Sequence, residues 1–134
     1  MERDADGYAP EAVARPLTGA RILVVEDDFF ISMELEAILS EAGGEVGLCR
    51  TVRDALVSVE KNAPSVAVLD FRMGEETTAR VADRLNGRNV PFAFYTGQAE
   101  VDPLRAQWPT CKIVSKPARP QTLVNAVADL LLGR

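Results

Sequence analysis

Five short apolar runs punctuate the chain, and between them apolar positions recur at helical spacing. The runs are Arg21-Ile22-Leu23-Val24-Val25, Val46-Gly47-Leu48-Cys49, Val66-Ala67-Val68-Leu69, Val90-Pro91-Phe92-Ala93-Phe94-Tyr95 and Lys112-Ile113-Val114. Runs this short, apolar without alternation, mark strands covered on both faces of a parallel sheet. Pro91 is tolerable because it falls near a strand start.

The segments between them read as helices. Phe30, Ile31, Glu34, Leu35, Ile38, Leu39 and Ala42 form one periodic set, ended by Gly43-Gly44. Thr51 is placed to cap a second helix with Asp54 three residues on, and Val52, Ala55, Leu56 and Val59 supply its stripe before Pro64. A third is expected over 76–86, through Ala79, Val81, Ala82 and Leu85. The last carries Leu123, Val124, Val127, Leu130 and Leu131, with Pro120 in its first turn. Between the fourth and fifth strands, two prolines bracket a short stretch at 98–109, and the helix there is expected to be short or missing.

Strands alternating with helices specify an α/β fold. Five strands in this length fit a flavodoxin-like doubly wound parallel sheet of order 2-1-3-4-5. Residues 1–18 mix Gly, Pro, Ala and charges without a period and are expected to be a mobile arm before a domain at 19–134.

Composition narrows the function. With 134 residues the chain supports one domain. Its 15 basic and 20 acidic residues leave a charge of −5, which argues against nucleic acid as a partner. The apolar runs are too short for a membrane helix, and the N-terminus lacks a signal-peptide build, so a cytoplasmic protein is expected. Cys49 and Cys111 form no CxxC pair and read as free thiols of a reducing compartment. The absence of histidine excludes imidazole-based triads and His-ligated zinc.

In open α/β sheets, sites form beyond the carboxyl ends of the strands. The first run ends in Glu26-Asp27-Asp28, the third in Asp70, the fourth in Thr96-Gly97 and the fifth in Ser115-Lys116-Pro117. Two carboxylates 4 Å apart repel by roughly 4 kcal/mol at an effective dielectric of 20. A hard cation such as Mg²⁺ removes that penalty. A carboxylate nucleophile, a metal, a lysine and a hydroxyl together suit an acyl phosphate. Taken singly, the same residues have plainer readings: Glu26, Asp27 and Asp28 as caps of the first helix, Asp70 as a loop residue, Thr96 as a strand-end hydroxyl.

The ordered set ILVVEDD, VAVLDFRMG, PFAFYTG and VSKP resembles the signature of CheY-like response-regulator receiver domains, over residues 20–134. The resemblance implies that Asp70 is the phosphoacceptor. It also implies a Mg²⁺ site from Asp27, from Glu26 acting through water, from Asp70 and from the Arg72 backbone carbonyl. Thr96 and Lys116 would contact the phosphoryl group, Arg72 and Gln98 would tune its hydrolysis, and the Lys116-Pro117 bond would be cis. The stretch LDFRMGEETTARVADRLNGRNVPFAFYTGQ further resembles alphaproteobacterial FAT GUY receivers, which tend to stand alone and to have a short or disordered fourth helix. Tyr95 replaces the alanine of that signature, and Gln98 also departs from it.

Typical receivers carry an aromatic switch residue three positions before the lysine, where this chain has Ile113. Tyr95 either takes over as a reporter of phosphorylation or packs at the sheet edge. Arg72 either pairs with an acid when metal is absent, shields the phosphoryl group from water, or is solvated. The expected function is a single-domain response regulator, phosphorylated on Asp70 by a histidine kinase or phosphotransfer protein. With no segment after the last helix, output would be by protein contact or as a phosphate sink. The alternatives are a pseudo-receiver that binds without phosphorylation and a small Mg²⁺-dependent aspartyl phosphatase. Against the latter, Glu26-Asp27-Asp28 lacks the DxD spacing such enzymes use after their first strand.

Overall fold

Successive residues of the first apolar run point to opposite sides of a sheet, and both sides are covered. In the computed structural model, which describes residues 15–134, the strands are β1 (Arg21–Val25), β2 (Glu45–Cys49), β3 (Val66–Leu69), β4 (Arg72–Met73), β5 (Glu76–Thr77), β6 (Phe92–Thr96) and β7 (Lys112–Ser115). The helices are α1 (Phe29–Glu41), α2 (Val52–Asn62), α3 (Ala79–Gly87), α4 (Gln98–Gln107) and α5 (Pro120–Leu131). Leu23 and Val25 enter a core with α2, α3 and Leu104 of α4. Ile22 and Val24 enter a second core with α1 and α5. This division explains why β1 and β3 show no polar alternation.

The five long strands run parallel in the order β2-β1-β3-β6-β7, which is the expected 2-1-3-4-5 with the small hairpin β4–β5 set aside. Register aligns their carboxyl ends: Val25 lies beside Leu69, Leu69 beside Phe94, and Thr96 beside Ser115. Backbone pairing continues one residue further, with Asp70 N–H donating to Val25 O at 2.9 Å and Lys116 N–H to Thr96 O at 2.8 Å. The strand-end residues therefore start from fixed backbone positions.

Thr51 caps α2 as expected, its hydroxyl accepting from Asp54 N–H at 3.0 Å. Three features differ from the sequence expectation. Residues 76 and 77 belong to the hairpin rather than to α3, because Gly74, at φ +66°, turns the chain back after Met73. Leu17, expected in the arm, is fully buried and donates its N–H to Ala42 O at 2.9 Å, which anchors the chain there to the domain, while residues 1–14 of the expected arm lie outside the described residues.

The third difference is α4, a helix of ten residues rather than a short or missing one. Pro103 sits inside it and withholds a backbone donor, a defect of about 3 kcal/mol or more in a helix interior. Leu104 is fully buried in compensation, and the Trp108 ring at the helix end meets Phe92 and Phe94 edge-on, with centroids 6.1 and 5.9 Å away. Docking outweighs the proline. No helix among the described residues is long and apolar enough to cross a membrane.

Candidate functional site

Asp70 is the first residue after β3, whose four residues are all buried. Its backbone is held on both sides. The N–H is paired to β1, and the carbonyl accepts from the fully buried Thr78 hydroxyl at 2.8 Å. Thr78 N–H also donates to Phe71 O at 2.9 Å, which closes the 71–77 loop. Phe71 packs edge-on against Phe94. Sequence reading missed Thr78 by starting a helix at 76. The hydroxyl pair Thr77-Thr78 before Ala79 is the available signal, since Ser and Thr favour helix entries.

Three other strand ends converge on the Asp70 carboxylate. Thr96 Oγ1 donates to Oδ1 at 3.2 Å, and Lys116 Nζ lies 3.4 Å from Oδ2. The same ammonium donates to Glu26 Oε1 at 2.9 Å, and Glu26 Oε2 accepts from Asp28 N–H at 3.2 Å. Asp28 also caps α1, its side chain accepting from Ile31 N–H at 2.9 Å. The helix-cap reading of the acidic trio thus holds for Asp28, whereas Glu26 and Asp27 turn to the cluster. Carboxylate oxygens of Glu26, Asp27 and Asp70 lie within 4.8 Å of one another.

These charges are unevenly solvated. Glu26 is buried while Asp27 is exposed. Burial pushes the Glu26 carboxyl above its ordinary range; the Lys116 hydrogen bond opposes this, and the nearby Asp70 charge adds to it. Burial works against the Lys116 ammonium, but the hydrogen bond to Glu26 and the attraction of Asp70 and Glu26 prevail and raise it. The cluster holds three carboxylates and the one ammonium touches two of them, so there is room for further positive charge. All-oxygen donors, two of them on residues adjacent in sequence, suit a hard divalent cation that keeps several waters.

The remaining expected residues stand at the rim. Gln98 Oε1 accepts from the Ser115 hydroxyl at 2.8 Å. Arg72, at the start of β4, directs its guanidinium to Glu100 of α4, with Nε 3.5 Å from Oε2. The Lys116-Pro117 bond is cis. Ile113 is partly buried against the core on the α2–α4 side. Tyr95 is buried on the opposite face, among α1 and α5 residues, and β6 lies between β3 and β7, so it does not pack at a sheet edge. Its hydroxyl accepts from Ala118 N–H at 3.3 Å, and Lys116 Nζ lies 5.6 Å from its ring centroid.

A doubly wound parallel sheet with an acid cluster, a hydroxyl and a lysine at its carboxyl edge defines the class of protein. The family model for the response regulator receiver domain matches residues 22–128, and the chain belongs to that family. It is 26% identical over 114 residues to the phyllosphere-induced regulator PhyR of Methylorubrum extorquens, an alignment covering 82% of this chain and 43% of that one. The crystal structure of the response regulator PhyR from Brucella abortus superposes with a TM-score of 0.78 at 25% identity, covering 90% of this chain and 50% of the other. The chain thus spans half or less of the length of these regulators. A response regulator receiver protein from Sinorhizobium medicae shares the fold, with a TM-score of 0.76 at 24% identity over 84% of this chain and 94% of that one.

Proposed function

We propose that the protein is a phosphoryl-accepting response regulator in which Asp70 takes a phosphoryl group from a histidine kinase or phosphotransfer protein. The observation that carries this reading is the pairing of the Asp70 carboxylate, one oxygen to Thr96 and the other to Lys116, beside two further acids. In the transfer, an Asp70 oxygen bonds to phosphorus as the bond from phosphorus to the donor imidazole breaks. Thr96 and Lys116 already point at the carboxylate, so each can contact a phosphoryl oxygen with little movement, placing donors where negative charge arrives.

Mg²⁺, held by Asp27, Asp70, Glu26 through water and the Arg72 carbonyl, would neutralise charge on the transferring group. The fit rests on the three clustered carboxylates. Lys116 keeps its proton because two acids face it, and so remains a fixed charge rather than a proton shuttle. Such a site takes up one phosphoryl group and sheds it slowly; it is not built for turnover. The output is protein contact or drainage of a shared kinase in the cytoplasm, in line with relatives named as regulators.

Intact mass after incubation with acetyl phosphate and Mg²⁺ tests the reading. One phosphate adduct is expected on the wild type, absent without Mg²⁺ and absent in Asp70→Asn. No adduct, together with no binding of trifluoroberyllate, would favour a binding module that is not phosphorylated.

A further inference from the structure

The two loops that flank Asp70 are joined by a charge pair that the transfer chemistry leaves unused. Arg72 lies two residues past Asp70, and its Nε is 3.5 Å from Glu100 Oε2. Glu100 stands in the first turn of α4, four residues past Thr96, with its N–H bonded to Gly97 O at 3.0 Å. The pair therefore ties the strand end carrying the carboxylate to the strand end carrying the hydroxyl. The Arg72 side chain is 54% exposed and that of Glu100 26%. The guanidinium carbon also lies 5.8 Å from the Phe71 ring centroid, within range of a cation–π attraction to the residue next to Asp70.

We propose that Glu100 is a positioning residue that holds Arg72 away from the acyl phosphate and so sets the lifetime of the phosphorylated state. This rests on Asp70 being the phosphoacceptor. An exposed ion pair is weak. A phosphoryl group brings nearly two negative charges and three acceptor oxygens, and the guanidinium fork suits it. Arg72 therefore divides its time between Glu100 and a phosphoryl oxygen.

Hydrolysis requires a water oxygen to attack phosphorus opposite the Asp70 oxygen. The bond from phosphorus to the carboxylate breaks, the carboxylate returns to Asp70, and the protons of water leave with inorganic phosphate and solvent. A guanidinium lying across the open phosphoryl face obstructs that approach. Releasing Arg72 from Glu100 lengthens the lifetime, and removing Arg72 shortens it.

The test follows adduct decay by intact mass, after labelling with acetyl phosphate and Mg²⁺ and removal of the donor. Glu100→Gln should lengthen the lifetime by about two- to fivefold, the range of an exposed pair's coupling. Glu100→Asp should stay near wild type, and Arg72→Ala should decay faster. The double variant should decay as Arg72→Ala does, because a purely structural effect of Glu100 on α4 would persist without the arginine. A Glu100→Gln lifetime that is unchanged or shorter, or the same lengthening on the Arg72→Ala background, overturns the proposal and leaves Asp70 as acceptor. A wild type that takes up no phosphate overturns both.

Discussion

The Tyr95 hydroxyl accepts a hydrogen bond from Ala118 N–H at 3.3 Å, so a buried side chain next to Thr96 fastens the loop that carries Lys116. The Lys116 ammonium sits 5.6 Å from the centre of the same ring, within range of a cation–π attraction. Tyr95→Phe keeps the ring and removes the acceptor, at a cost of about 0.5–1.5 kcal/mol for a part-buried hydrogen bond. Faster amide exchange at Ala118 with near-normal phosphate uptake is expected. Tyr95→Ala removes ring and acceptor together, and slower uptake from acetyl phosphate should follow. Equal uptake rates in the two variants would deny the ring a part in placing Lys116.

Glu26 and Lys116 form the most buried ion pair among the described residues, with side chains 1% and 19% exposed. Breaking such a pair from one side leaves a buried charge alone and costs about 3–5 kcal/mol. Lys116→Met should lower stability by an amount toward the lower end of that range, read from urea unfolding at neutral pH. Burial holds the Glu26 carboxyl above its ordinary range, and loss of Lys116 moves it further in that direction. The native state then binds the proton more tightly than the unfolded chain does, so the deficit should narrow as pH falls toward 5. Glu26→Gln combined with Lys116→Met should recover part of the loss.

Cys111 gives a pH dependence at the alkaline end. Burial pushes its thiol from 9.0 up to about 11, with the nearby Arg105 pulling the other way. Between those two values the unfolded chain has lost the proton and the native chain keeps it, so stability falls as pH rises through that window. Cys111→Ala should remove this part of the alkaline slope. Unfolding midpoints of the two proteins at pH 8.5 and 10.5 measure it, and iodoacetamide should label Cys111 slowly in the native state at pH 8.

Leu104 anchors α4 against the cost of Pro103. Leu104→Ala should destabilise the fold by about 2–5 kcal/mol, as expected for a fully buried leucine. Trp108, four residues on and in contact with Phe92 and Phe94, should report the loosening as a red-shifted emission before global unfolding.

Sequence alone reached the sheet order and the residues at the strand ends. Both follow from rules that hold locally: apolar runs buried on two faces, and ligands at the carboxyl edge. It failed where tertiary contacts overrode local signals. Pro103 argued against a helix that Leu104 and Trp108 hold in place. The helix start expected at 76 missed a turn that depends on Gly74 and on Thr78 reaching back to Asp70 O, a contact set by the packed sheet. That Arg72 could pair with an acid was legible, but its partner Glu100 was not, since nothing in the intervening 27 residues signals that β4 and α4 meet. Tyr95 stood out as a departure, but its partner Ala118 could not be read from spacing.

Lys116 and Glu26 stand 90 residues apart in sequence and share one hydrogen bond at the site. Chemical competence is therefore a whole-molecule property. A chain cut before β7 would retain the three clustered carboxylates and lose the ammonium that bridges Glu26 and Asp70, and a partly opened sheet would do the same transiently. If Asp70 is the phosphoacceptor as proposed, its uptake of phosphate doubles as a fold-integrity assay, and should fall in any species whose first and last strand ends have parted.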